Sequence, residues 1–237
     1  MNATVTSISL VDLSFAFIPV FFVLYIFYRW QLNALNASYA LFRMLIQLLL
    51  IGYFLAFIFE SKSAWIVGLV LIIMLLASSW IALGSIKEHR RELYLYTLIA
   101  IFIGGGSSLL LMTQAVLHLN PWFEPHYMVP LAGMVFANAM NSVSLSAERL
   151  FSQQEHGIAY IQARNTAFKA SMIPIINSLF AVGLVSLPGM MTGQILSGID
   201  PFIAARYQIM IMVMIFSASG IASAYFLTRS KKVFEGV

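Results

Sequence analysis

A helix needs about 20 consecutive apolar residues to cross a bilayer, and this chain holds seven runs that approach that length. They lie near residues 9–28, 40–59, 64–84, 93–117, 127–146, 172–196 and 202–227. Charged residues make up 9% of the 237 positions, whereas a soluble domain carries about 25%. In lipid every backbone polar group must be satisfied within its own segment, so such runs fold as helices. The expected fold is all-α and polytopic, a single membrane domain over residues 1–237 with about seven transmembrane helices. The first run lacks the basic start and short core of a cleaved signal peptide and is read as a span.

Lysine and arginine in short loops mark the cytoplasmic side. Arg29 follows the first span; Lys87, Arg90 and Arg91 the third; Arg149, Arg164 and Lys169 the fifth; Arg229, Lys231 and Lys232 the seventh. The opposite side holds Lys62 and Arg206, and Arg43 lies inside a span. Ten against two predicts an outside N-terminus and a cytoplasmic C-terminus. The same scatter gives no basic face for a nucleic acid, so the bilayer is the expected partner surface. With no cysteine, disulfides, thiolate metal sites and cysteine nucleophiles are excluded.

The sixth run is unlike the others. Only residues 173–187 read as uninterrupted helix, too short to span, and Pro188, Gly189, Gly193 and Gln194 follow. Pro188 removes a backbone donor, while Gly189 and Gly193 permit close approach and unusual backbone angles. The stretch either completes a kinked helix or re-enters the membrane. Pro188, Gly189, Met190, Met191, Thr192, Gly193 and Gln194 are therefore candidates to line a translocation path, with a packing kink as the alternative. The thioethers of Met190 and Met191 suit copper(I) better than iron, although methionine also serves as filler.

Other polar residues fall inside spans. Arg43 and Gln47 share one helix face at i and i+4; Arg43 either faces protein or water or snorkels to the interface. Asn138 and Asn141 at i and i+3, and Asn177 in the sixth run, either bond to neighbouring helices or line the path. Gly133 and Ala137 have the small-xxx-small spacing of close helix packing. Residues 104–108, Gly-Gly-Gly-Ser-Ser, are too glycine-rich for an ordinary helix and lack the Lys of a phosphate loop.

The longest polar interval, 148–169, lies on the cytoplasmic side. Wound as one helix it gathers Leu150, Ile158, Ile161 and Phe168 on one face. It is expected to be an amphipathic segment that either lies on the lipid surface or docks a cytoplasmic partner through Arg149, Glu155, His156, Arg164 and Lys169. His118, Glu124 and His126 share an outer loop without the spacing of a recognised metal site. Asp200-Pro201 has the form of an N-cap and first-turn proline. No serine, histidine and carboxylate grouping marks a catalytic centre, so no enzyme activity is expected.

The segment Val182-Gly-Leu-Val-Ser-Leu-Pro-Gly-Met-Met-Thr-Gly-Gln-Ile-Leu-Ser-Gly-Ile-Asp-Pro201, followed by Arg206-Tyr-Gln208, resembles the signature of the FetB family of ABC-transporter permeases. Arg43-Met-Leu-Ile-Gln-Leu-Leu-Leu-Ile-Gly-Tyr53 and Pro130-Leu-Ala-Gly-Met-Val-Phe-Ala-Asn-Ala-Met140 resemble the same family. The resemblance implies a seven-span permease of the cell inner membrane, paired with a cytoplasmic ATPase that carries the ATP and magnesium. It implies two copies of the chain and, as cargo, iron for export. A channel or ion-coupled transporter without ATPase, and a non-transporting scaffold, are the alternatives.

Overall fold

A computed structural model describes residues 8–61 and 63–234; Lys62, counted above on the outer side, lies outside the described residues. The helices run α1 (Leu10–Phe15), α2 (Ile18–Arg29), α3 (Ala34–Glu60), α4 (Ala64–Ala82) and α5 (Arg90–Ile101). A π segment (Phe102–Gly106), α6 (Ser107–Leu110) and a second π segment (Leu111–Val116) continue α5. Then come α7 (Pro125–Glu155), α8 (Tyr160–Ala181), α9 (Gly189–Leu196), α10 (Pro201–Arg229) and α11 (Lys231–Phe234).

Six helices are long and apolar enough to cross a membrane: Val11–Arg29, Ala34–Glu60, Ala64–Ala82, Arg90–Val116, Pro125–Glu155 and Pro201–Val233. They account for every apolar run except the sixth. There α8 starts earlier than the run, at Tyr160, and stops at Ala181. Its 22 residues extend about 33 Å at 1.5 Å per residue, but Gln162, Arg164, Asn165 and Lys169 make its first half polar. The Tyr160 hydroxyl donates to the carbonyl of Leu227, near the C-terminal end of α10. At the other end Leu179 and Val182 share a hollow with Ala205 and Gln208. Thus α8 runs antiparallel beside α10, and its polar first half sets it apart from the six helices that are long and apolar enough to cross.

The chain forms two compact units, Met1–Ser61 with Leu196–Gly198, and Lys62–Ile195 with Ile199–Val237. In the first unit α2 buries no side chain and α3 only Ile58. Pro19 at the second position of α2 separates it from α1, and the Asn33 side chain caps α3 by accepting from Asn36 N–H at 2.9 Å.

In the second unit α10 packs on α5, the first π segment, α7 and α8. Lipid gives no hydrophobic drive between helices, so close backbone approach through small residues holds them. Ala204, Ala218, Ser219, Ala222 and Ser223 make that face of α10 buried and narrow. A Cβ on Gly104 would lie 2.6 Å from the Ala218 carbonyl oxygen and 2.7 Å from Ala222 N, and one on Gly105 would lie 2.8 Å from the Phe136 ring. The glycine run is thus a π-wound contact in which helix backbones meet. A Cβ on Gly133 would lie 3.4 Å from the Met74 methyl, whereas Ala137 is exposed, so only half of that small-residue pair faces a neighbour within the chain.

One expectation is corrected. Residues 148–169 are not a single amphipathic helix: α7 ends at Glu155 and the chain reverses into α8. Gly157 adopts φ +70°, its N–H bonds to Gln154 O at 2.9 Å, and Ile158 N–H reaches Gln153 O at 3.1 Å. These two bonds satisfy carbonyls that the helix end leaves open, and the left-handed residue between them suits glycine. The apolar stripe is split accordingly, with Leu150 fully buried and Ile158, Ile161 and Phe168 exposed.

Candidate functional site

The interrupted sixth crossing is resolved into helix, loop and short helix. After α8, three successive N–H groups, of Leu184, Val185 and Ser186, converge on the Ala181 carbonyl at 3.2, 2.8 and 3.1 Å. Gly183 at φ +82° makes this tight loop possible and donates back to Ser186 O at 3.0 Å. Pro188 then precedes α9, where Thr192 N–H bonds to Pro188 O at 3.0 Å and the Thr192 hydroxyl donates to Leu187 O at 3.3 Å. Gly198 at φ +88° ends α9, with Ile199 N–H on Gln194 O at 3.0 Å. Asp200 accepts from Phe202 and Ile203 N–H at 2.8 and 3.3 Å and so caps α10 as its sequence indicates.

The glycines with unusual angles are therefore Gly183 and Gly198. Gly189 and Gly193, expected to need such freedom, have ordinary helical neighbours, and a Cβ on either would meet nothing within 4 Å. Their faces are open within this chain.

Two glutamines of this segment stand out. Gln194 on α9 and Gln208 on α10 each hold a buried side-chain oxygen without a hydrogen-bond partner. Gln208 is 5% exposed and lines a hollow of about 320 Å³ with Met191, Met212, Leu179 and Gly183. A buried amide oxygen left unpaired costs about 1–3 kcal/mol, so these two oxygens are the polar atoms of the segment with acceptor capacity to spare. Gln208 carried no apolar-period signal; only its place in the Arg206-Tyr-Gln208 motif set it apart. Ser219 and Ser223 further along α10 are likewise buried and unpaired.

The remaining candidates are dispersed. Asn138 is half-buried and its amide donates to Met134 O at 2.8 Å, one turn back on its own helix. Asn141 and Asn177 are exposed on α7 and α8, and Arg43 and Gln47 are exposed on α3. Pro188, Met190, Met191 and Thr192 are half-buried. Arg149, Glu155 and His156 are exposed near the α7–α8 turn, where the His156 ring lies 2.7 Å from Ser152 O. Arg164 and Lys169 continue along α8. In the outer loop His126 pairs with Glu124 at 3.0 Å, and no group of three metal-ligating side chains occurs among the described residues.

Six helices long and apolar enough to cross a bilayer define a multi-pass integral membrane protein. The chain belongs to the uncharacterised protein family UPF0014, whose family model matches residues 10–234. It is 36% identical to the UPF0014 membrane protein slr1647 of Synechocystis, an alignment covering 78% of this chain and 84% of that one. It is 35% identical to the "Probable iron export permease protein FetB" of Escherichia coli, covering 80% and 78%. It is 30% identical to the protein ALUMINUM SENSITIVE 3 of Arabidopsis thaliana, covering 78% and 72%. No solved structure matches the chain.

Proposed function

We propose that this chain is the membrane permease of an ABC exporter of the inner membrane, acting as two copies above two cytoplasmic ATPase subunits, with iron as cargo. The observation that carries this reading is the broken helix α8–α9, with an unpaired oxygen on Gln194 of α9 and another on Gln208 in the hollow that Met191 lines. Irregular backbone at membrane depth is tolerated where protein or a water-lined path satisfies it. Residues 188–194 then form the moving wall of that path. In the second unit Asn138, Asn141 and Asn177, and in the first unit Arg43 and Gln47, are the further polar groups this reading offers to the path or to the second copy. The name and identity of the E. coli relative support iron and export. No Asp or Glu is buried among the described residues, which favours ATP over a coupled proton as the energy source. ATP and magnesium belong to the partner, which docks on the α7–α8 turn through Arg149, Glu155 and His156, flanked by Arg164 and Lys169.

The test is co-purification with the ATPase, followed by ATP hydrolysis by the reconstituted complex across a panel of metal ions. Iron(II) should stimulate hydrolysis and accumulate in inverted vesicles only with ATP. Gln208→Leu should lower that transport about tenfold, the equivalent of ~1.4 kcal/mol, while leaving thermal stability unchanged or raised, because it removes an unpaired buried polar group. Arg149→Glu with Glu155→Lys should lose the ATPase in a pull-down and keep membrane insertion. Transport that proceeds without any ATPase would replace this reading with a channel.

A further inference from the structure

Two hollows between α8 and α10 meet at Phe168. One, of about 320 Å³, is lined by Arg164, Asn165, Phe168, Ala224, Leu227 and Thr228. The other, of about 530 Å³, continues between Phe168, Met172 and Ile176 on α8 and Phe216, Gly220 and Ile221 on α10, with Lys169 at its rim. On α8, Arg164, Phe168, Met172 and Ile176 follow one another at i+4 and so form one ridge of the groove. Along either helix, from Arg164 to Ile176 or from Thr228 to Phe216, the groove covers twelve steps, or about 18 Å. One leaflet of hydrocarbon is about 15 Å deep. Gly220 leaves the floor open, since a Cβ there would come no closer than 3.6 Å to the Met172 methyl.

The two ends differ in chemistry. Arg164 lines the hollow nearer Arg229 and Lys169 follows Phe168, where the two hollows meet; neither cation meets a carboxylate among the described residues, since Arg164 donates only to the neutral Asn165 oxygen at 3.2 and 3.4 Å and Lys169 is exposed. The other end is apolar. A groove one leaflet long, with uncompensated cations at the interface and an apolar floor, matches an amphipathic anion lying along the helices. A soluble protein partner would leave the deep half unfilled.

We propose that the α8–α10 groove is a binding site for an anionic phospholipid of the cytoplasmic leaflet, its phosphate held by Arg164 and Lys169 and an acyl chain lying over Phe168 and Gly220. Basic recesses between helices on the cytoplasmic side hold anionic headgroups by this combination of charge and depth. The lipid would brace α8 against α10 below the broken segment. The two cations also flank the turn proposed above to dock an ATPase, so the lipid is measured with no ATPase present.

The experiment uses the purified full chain without any ATPase. It is equilibrated with mixed micelles of phosphatidylglycerol and phosphatidylcholine, and retained lipids are counted by native mass spectrometry. The wild-type chain should retain phosphatidylglycerol preferentially. Arg164→Gln with Lys169→Gln, both at positions that do not hold the core, should lower that preference about tenfold or more while leaving phosphatidylcholine retention unchanged. Gly220→Leu should displace both lipids, and Arg149→Gln, a cation outside the groove, should change neither. Glycerol 3-phosphate, which has no acyl chain, should not compete. An unchanged preference in the double variant overturns the proposal, as does an equal loss in Arg149→Gln, which would reduce the effect to general attraction by a basic face.

Discussion

At Gly104 a Cβ has no room, because the Ala218 carbonyl and the Ala222 amide of α10 are backbone atoms that cannot swing aside. Gly104→Ala should therefore cost about 1–3 kcal/mol as helices are forced apart. At Gly193 a Cβ meets open space and the backbone is helical, so Gly193→Ala should be neutral or stabilising by up to about 1 kcal/mol. Thermal unfolding of the two variants in detergent checks the pair. A loss at Gly193 equal to that at Gly104 would show that α9 is covered by a second chain. Both glycines are visible in the sequence, one in a triplet and one in the signature. Only the approach of α10 tells which of them packing requires.

At the level of elements, the caps follow local rules. Asp200 before Pro201 and Asn33 before α3 each accept a backbone N–H three residues or fewer ahead, and both positions are readable from residue type alone. The α7–α8 reversal was not readable in the same way. The 148–169 interval has a consistent helical stripe, but the stripe is assembled from two antiparallel helices, one side contributing Leu150 to the core and the other exposing Phe168. Gly157 was the available signal, and its left-handed φ is the physical cause. Gly157→Ala should destabilise the chain by about 1–2 kcal/mol, with Gly157→Asn intermediate, since a Cβ there meets nothing and only the backbone angle is at stake. The measurement is thermal unfolding, with limited proteolysis at the turn as a second readout. Equal stability of all three chains would mean that the turn relaxes to an ordinary helical angle at no cost.

Across the whole molecule, the seven apolar runs and the distribution of lysine and arginine in the sequence predict an outside N-terminus and a cytoplasmic C-terminus. Because the chain has no native cysteine, single-cysteine labelling reads the orientation without background. With the N-terminus outside, His118→Cys in the loop after the second π segment should react with an impermeant maleimide on intact cells. Lys232→Cys in α11 should react only after permeabilisation. The reverse pattern would invert the orientation drawn from the lysines and arginines.

Membrane residence and the all-helical, multi-pass class were determined by the sequence alone. They depend on quantities that add along the chain, the length of apolar runs and the count of charges within them, and the six helices long and apolar enough to cross follow from those sums. The site did not follow in the same way. Pro188 announced the break, yet the left-handed turns fell at Gly183 and Gly198, because a local angle is decided by where the preceding helix stops and the next begins. That Gln208 is buried without a partner beside Met191, and that α8 and α10 leave a groove between Arg164 and Phe216, was decided by the tertiary structure alone. Hydrogen-bond satisfaction and open volume belong to pairs of helices in contact, and no periodicity within one helix encodes which neighbour it will meet.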